Sequence, residues 1–247
     1  MEIYGRVALV TGGGTGLGRQ TALGLADEGV LVAVNYSMSR EAAEQVVGEI
    51  EDGGGQSIAV QADVTDGLAV ASMVASVEET LGPVDILVNN AGTTHYVPFS
   101  DLGGVTADMW RRIMDVNVAG AFLCSQAVGS GMQARGAGKI VNVASNSALT
   151  DAGSSIPYVV SKAALVSLTR CLARALAPAV QVNAVAPGWM LTEWIDRHVP
   201  PGRAEEIRAG AVPLVPVEDV VHTLMGLITN DSVTGAVAVV DRGEMLG

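Results

Sequence analysis

The sequence predicts an α/β fold: one doubly wound, parallel, seven-stranded sheet with helices on both faces, forming a single domain over 1–247. Three observations predict it. Short apolar runs alternate with longer helical stretches from end to end, the pattern of βαβ units joined by right-handed crossovers. Hydrophobic residues make up 49% of the chain, aromatics only 4%, and there are 30 glycines, which suits a Val-, Ala- and Leu-rich sheet buried on both faces and joined by tight turns. No linker or internal repeat divides the 247 residues, a length at which one core buries most of its apolar surface.

The elements follow in order. Arg6–Thr11 reads as a buried strand and Gly16–Glu28 as the first helix. Val30–Asn35 is a second strand, and Ser39–Glu51 a helix that ends at three glycines. Ser57–Gln61 and Val84–Asn89 are strands three and four, separated by a helix from Asp66 to Leu81. One long helix is expected from Ala107 to Met132, then a fifth strand, Lys139–Ala144. The next helix runs from Pro157 to Ala177, with proline suited to its first turn and Pro178 closing it. Val180–Val185 is strand six. Residues 188–216, rich in Pro and Gly, are expected to be irregular. Val217–Thr229 and Ala236–Val240 supply the last helix and strand.

Charge and composition exclude several functions. A net charge of −12 argues against a nucleic-acid or anionic-lipid partner. No run of eighteen uncharged apolar residues predicts a membrane span, and a strand starts too early for a signal peptide. Cys124 and Cys171 both lie in apolar helical patterns and read as reduced core thiols. A cytoplasmic protein is expected. No His, Cys or carboxylate cluster has metal-ligand spacing.

The stretch Thr11-Gly12-Gly13-Gly14-Thr15-Gly16-Leu17-Gly18 lies between the first strand and the first helix. Glycines there permit an unusual turn and close approach of a pyrophosphate, and the helix N-terminus offers free N–H groups and a positive dipole. Dinucleotide binding follows from that placement. At the end of the second strand, Asn35-Tyr36-Ser37 carries no acid for a ribose 2′-hydroxyl, and Arg40 follows. NADP is therefore the preferred cofactor and NAD the alternative, with Ser37 and Arg40 as candidate ligands of a 2′-phosphate.

Tyr158 and Lys162 stand four apart on a predicted helix, one turn apart on one face. A free phenol titrates near ~10, and an adjacent ammonium is expected to lower that value. Such a pair can exchange a proton with a carbonyl or alcohol oxygen. Ser145, directly after the fifth strand, is placed to hold that oxygen.

These elements together resemble the short-chain dehydrogenase/reductase family, in its compact single-domain, Rossmann-fold branch. The resemblance rests on Thr11–Gly18, Asp63-Val64, Asn89-Asn90-Ala91-Gly92, Asn117, Ser145, Tyr158 with Lys162, and Pro187-Gly188 with Thr192, in the family's order along nearly the whole chain. It implies an NAD(P)-dependent oxidoreductase that moves a hydride between nicotinamide and a carbonyl or secondary alcohol of a small substrate. Tyr158 is then the general acid/base, and Lys162 lowers its pKa and binds the nicotinamide ribose. Ser145 holds the substrate oxygen, and Asn117 holds a water linking Lys162 to solvent. Asp63 and Val64 bind adenine, and Asn90, Ala91 and Gly92 line the ribose. Pro187, Gly188 and Thr192 position the nicotinamide, and a lid within 188–216 closes over the substrate. A homotetramer or homodimer is implied, built through the long helices after strands four and five and through the last strand.

The final turn departs from the family's usual Asp-Gly-Gly, reading Asp241-Arg242-Gly243. His95, Tyr96, Asn146, Trp189 and Trp194 are expected around the pocket mouth. The second half resembles 3-oxoacyl-(acyl-carrier-protein) reductases and sugar, polyol or steroid dehydrogenases equally. Arg135, Lys139, Arg170 and Arg174 are candidates for a carrier-protein docking patch. A non-catalytic dinucleotide-binding protein is the opposing class, disfavoured because Ser145, Tyr158 and Lys162 are all present.

Overall fold

The structure is a computed structural model and describes residues 1–246. Its first half contains β1 (Val7–Val10), α1 (Gly16–Asp27), β2 (Leu31–Tyr36), α2 (Arg40–Asp52), β3 (Ser57–Gln61), α3 (Gly67–Thr80) and β4 (Val84–Asn89). Then come α4 (Ala107–Met114), α5 (Ala121–Arg135), β5 (Gly138–Val143), α6 (Ser147–Thr150), α7 (Ile156–Leu176) and β6 (Val180–Pro187). The chain closes with α8 (Glu193–His198), α9 (Pro201–Arg208), α10 (Val217–Thr229) and β7 (Val237–Val240). The strands lie in the order β3-β2-β1-β4-β5-β6-β7 and every pairing is parallel. Winding reverses between β1 and β4, so their carboxyl ends open a crevice at the switch point.

Strand alternation divides the core between the two faces of the sheet. Ala8, Val10, Ile86 and Val88 pack on one side with Leu25, Val46 and Leu224. Leu9 and Leu87 pack on the other with Met73, Val128 and Ile140. Local chemistry sets several helix starts. Asp66 accepts hydrogen bonds from the Leu68 and Ala69 amides at the start of α3, and the Thr106 hydroxyl accepts from Met109 at the start of α4.

Three expectations are corrected. The single helix over 107–132 is instead α4 and α5 joined by a π-helical turn, Asp115–Gly120. Gly120 lies against Val64, where an added Cβ would come within 2.7 Å of Cγ2, and Asn117 turns inward and is buried. The segment 188–216 is not wholly irregular. It forms α8 and α9 around a small core of Ile195, Val199, Ala204 and Ile207. Cys124 is buried as expected, but Cys171 lies exposed on α7, because the helix turns residues 165, 166, 169 and 173 to the sheet instead.

By length and composition α7 is apolar enough to cross a membrane. In the fold, its Ser161, Lys162 and Leu165 side is buried.

Candidate active site

The turn after β1 is fixed from both sides. Thr11 Oγ1 accepts the Asn90 and Ala91 amides, both at 3.0 Å. Asn90 Nδ2 donates to the Thr11 and Gly12 carbonyls, also at 3.0 Å. From β2, Asn35 Oδ1 accepts the Gly12 amide at 3.3 Å and its carbonyl accepts Gly13 N–H at 2.9 Å. Gly12 and Gly16 have φ of +60° and +54°, conformations a side chain disfavours. Gly18 needs its hydrogen for another reason: a Cβ there would lie 2.4 Å from the Gly12 carbonyl oxygen.

This turn floors one end of a cavity of about 620 Å³ that continues to Tyr158. Gly12, Thr15, Gly16 and Leu17 line it, as do Asn35, Tyr36 and Ser37 from β2. Asp63, Val64, Asn90, Ala91 and Gly92 contribute from β3 and β4, and Pro187, Gly188 and Thr192 from the β6 side. The bare glycine turn at the N-terminus of α1 fits a pyrophosphate, so the donor set fits the dinucleotide that the motif implies. Gly18 lies beneath the turn, outside the cavity wall. Asn35 spends its amide on the Tyr36, Val60 and Ala62 carbonyls, and thus braces the turn against β3. Burial pushes the Asp63 carboxyl up, but hydrogen bonds from Thr65 and the nearby Arg112 guanidinium outweigh it, leaving Asp63 below its usual range.

At the end of β2, Tyr36 is buried, and the Arg40 guanidinium lies 5.7 Å from its ring centroid. Arg40 stands just outside the cavity, paired with Glu44 at 3.2 Å. No carboxylate occupies the β2 terminus.

At the other end, Tyr158 and Lys162 rise from α7 toward the end of β5. Lys162 is buried, and its Nζ donates to the Val143 carbonyl at 2.7 Å. It lies 5.8 Å from the Tyr158 ring centroid. The expected lowering of the phenol is not what this arrangement produces. Burial pushes Tyr158 up to about 12, and the hydrogen bond with Ser145 opposes this only in part. Burial also draws Lys162 down to about 8. Desolvation therefore dominates both groups. Ser145 Oγ also accepts the Ser147 amide at 3.2 Å.

Asn117 sits behind this pair and does not line the cavity. Its Nδ2 donates to the Thr93 carbonyl at 3.0 Å and to Ser161 Oγ at 2.9 Å, while its Oδ1 accepts Thr93 N–H at 2.8 Å. Its side chain thus ties the π-helical turn to α7 and to the strand-four loop.

The segment over the cavity supplies Trp189 and Trp194. The Trp194 ring is tilted against Tyr158, centroids 6.2 Å apart, and against His198 at 4.3 Å. Asn146 and Tyr96 also line the space. His95 does not: it points to solvent, while the adjacent Thr94 is buried on Ser154 at 2.6 Å. The segment is tied to the glycine turn by Gly16 N–H donating to Glu193 Oε2 at 3.1 Å and by Arg197 reaching Thr15 at 3.4 Å. Arg242, in place of the usual glycine, takes φ of +56° and donates to the Leu214 carbonyl at 3.0 Å. Glu244 enters the cavity beside Asn146. Sequence reasoning missed it, and the only signal was the altered final turn.

Comparison with known proteins bears on the family and the fold. The family described as short chain dehydrogenase matches residues 6–200. A Streptomyces violaceoruber protein named as a ketoacyl reductase of the granaticin polyketide synthase is 39% identical over 246 residues, covering 97% of this chain and 96% of its own. A 3-oxoacyl-[acyl-carrier-protein] reductase of Synechocystis is 36% identical, covering 98% and 97%. Among solved structures, NAD+-bound xylitol dehydrogenase superposes with a TM-score of 0.87 at 31% identity, covering 97% of this chain and 98% of that one. The sheet order, the glycine turn and these matches together make the chain a member of the short-chain dehydrogenase family, an oxidoreductase of CH–OH and C=O groups.

Proposed function

We propose that the enzyme reduces a carbonyl, or oxidises the matching secondary alcohol, on a small substrate, with NADP(H) as preferred partner. One observation carries this reading: Tyr158, Ser145 and Lys162 meet at one end of a cavity whose other end is the glycine turn. Bound along that cavity, the cofactor supplies or accepts the hydride. The protein's own groups handle the proton. Tyr158, held protonated by burial, donates to the carbonyl oxygen in reduction and recovers a proton in the reverse direction. Ser145 holds the same oxygen and stabilises its developing charge. Lys162 places a positive charge next to the phenol, and Asn117 keeps α7 in register with the π-helical turn. Gly12, Gly16 and Leu17 are assigned to the pyrophosphate, Asp63 and Val64 to adenine, and Thr192 to the nicotinamide end.

The NADP preference rests on the β2 terminus, where Tyr36, Ser37 and Arg40 present no carboxylate to a 2′-phosphate. NAD is the second cofactor reading, favoured by likeness to the NAD+-bound xylitol dehydrogenase. A 3-oxoacyl thioester is the second substrate reading, favoured by the names of two relatives. The basic patch imagined for it is reduced, since Lys139 is buried on Gln181 and Asp231 and Arg135 donates to the Val84 carbonyl. We further propose a cytoplasmic enzyme, in keeping with two unpaired cysteines.

The deciding experiment is titration with NADPH and NADH followed by nicotinamide fluorescence, alongside ketone reduction by wild type and Tyr158→Phe. The variant is expected to bind NADPH normally and lose at least about 10²-fold in kcat, the scale of one acid/base group. Near-normal turnover would remove Tyr158 from the role. Tyr36→Asp is expected to move the preference toward NADH by at least tenfold, about 1.4 kcal/mol, and an unchanged NADPH preference contradicts the β2 argument.

A further inference from the structure

Glu244 lies after the last strand, yet its carboxylate shares the cavity with Tyr158. Two fixed elements hold it there. The buried Asp241 accepts the Gly243 and Met245 amides at 2.9 and 3.0 Å and shapes the turn. Asn146 Nδ2 donates to Glu244 Oε2 at 2.9 Å, and Asn146 N–H is itself held by the Pro187 carbonyl at 2.9 Å. Gly188 makes the room: a Cβ there would lie 3.0 Å from Oε2. The carboxylate is thus bonded to Asn146, the residue that directly follows Ser145, the group assigned to the reacting oxygen.

The proton and hydride chemistry has no use for an anion at this place. Burial raises the Glu244 carboxyl above its ordinary value and Asp241 adds to this, while Asn146, Trp189 and Arg203 pull the other way. A carboxylate offers about four acceptor sites; Asn146 fills one and the Trp189 indole N–H is placed at a second, which leaves acceptor sites for a ligand. An alkyl chain pressed against it would strip water and give nothing back. A hydroxyl would replace the lost water with a charge-assisted hydrogen bond. A carboxylate or phosphate would be repelled.

We propose that Glu244 is a specificity-determining residue whose carboxylate, seated by Asn146 at the substrate end of the cavity, accepts a hydrogen bond from a second hydroxyl of the substrate, so that the enzyme acts on hydroxylated ketones and polyols in preference to plain acyl chains. This rests on the reading of the cavity as the substrate site, and it sets the polyol class above the 3-oxoacyl thioester.

The test compares cyclohexanol with the 1,2-, 1,3- and 1,4-cyclohexanediols. Binding to the enzyme in the presence of NADP+ is read from quenching of Trp189 and Trp194 fluorescence, and NADPH formation is recorded separately. Wild type is expected to bind at least one diol about tenfold more tightly than cyclohexanol, the effect of one hydrogen bond to a charged group. Glu244→Leu should bring that ratio near one, and Glu244→Gln, which keeps the side-chain shape, should leave it in between. NADPH affinity should stay within about threefold in both. Equal binding of alcohol and diols by wild type overturns the inference. So does a ratio unchanged in the variants, including the case in which only thermal stability or NADPH affinity falls. If Glu244→Leu does not fold, the Gln variant decides. A Glu244-dependent diol preference without NADPH formation would count against the catalytic reading of the cavity, while Glu244 would stand as the group that selects a second hydroxyl in binding.

Discussion

At the reacting end of the cavity, burial sets the protonation of the two α7 side chains, Tyr158 and Lys162. Lys162, drawn down to about 8 by burial, is charged below that pH and neutral above it, whereas Tyr158, at about 12, stays protonated throughout the working range. The log of kcat/KM for ketone reduction is therefore expected to hold level up to about pH 8 and fall beyond it, as the positive charge beside the phenol is lost. A profile flat to pH 9.5 would show that the Lys162 charge does not assist the step. The pairing of Tyr158 with Lys162 was legible in the sequence, because a spacing of four fixes a shared helical face. The direction of the phenol's shift was not legible. It depends on how deeply tertiary packing buries the hydroxyl, which no local pattern encodes. Glu244 was hidden for a related reason, since its partner Asn146 is 98 residues away.

Among the elements, the glycine turn shows how a motif acts through its supports. Gly18 faces the Gly12 carbonyl and Asn90 Nδ2, each 2.4 Å from the place a Cβ would take. Gly18→Ala must push the turn off β4 and break the Asn90 bridge. Overpacking of this kind costs about 1–3 kcal/mol, a few degrees of Tm at this chain length. NADPH binding should weaken at least tenfold, and calorimetry with fluorescence titration checks both. An alanine variant with native Tm and affinity would mean that the turn can shift at no cost. Regular elements were well marked in the sequence: Ser57–Gln61, Val84–Asn89 and Val217–Thr229 match their observed bounds, because apolar runs and flanking turn residues define them. The π-helical turn was not marked. Val116, Asn117 and Gly120 fit a helical pattern, and the residues that meet the turn, Val64, Thr93 and Ser161, are distant in the chain. The helices α8 and α9 were masked by the Pro and Gly content of their segment. Pro201 in fact starts α9, where a missing N–H costs nothing.

For the molecule as a whole, the sheet accounts for most of the core, yet some apolar side chains remain outside it. Trp110 on α4, Phe122 on α5 and Val160 on α7 are 39–42% exposed, and β7 is an edge strand with Val239 exposed. These are the elements through which the family resemblance implies a homotetramer or homodimer, and apolar surface of this kind is buried in stable assemblies. Phe122→Asp with Val160→Asp is expected to lower the mass measured by light scattering to that of a smaller species. A wild type already monomeric at micromolar concentration would contradict the assembly. The fold class was legible from strand–helix alternation together with the Val-, Ala- and Gly-rich composition and the unbroken length. The charge of −12 showed what the surface would avoid, but not which faces would meet.

Cys171 is exposed on α7, whereas Cys124 is buried and its thiol is pushed up to about 12 by that burial. Thiolate, not thiol, attacks a maleimide, so at neutral pH the chain carries one addressable sulfur among its described residues. A spin label or dye placed there needs no engineered cysteine. If copies of the chain associate through α7, paired labels would report the spacing of the two helices in solution, and protection of the sulfur from labelling would map that helix to a buried contact.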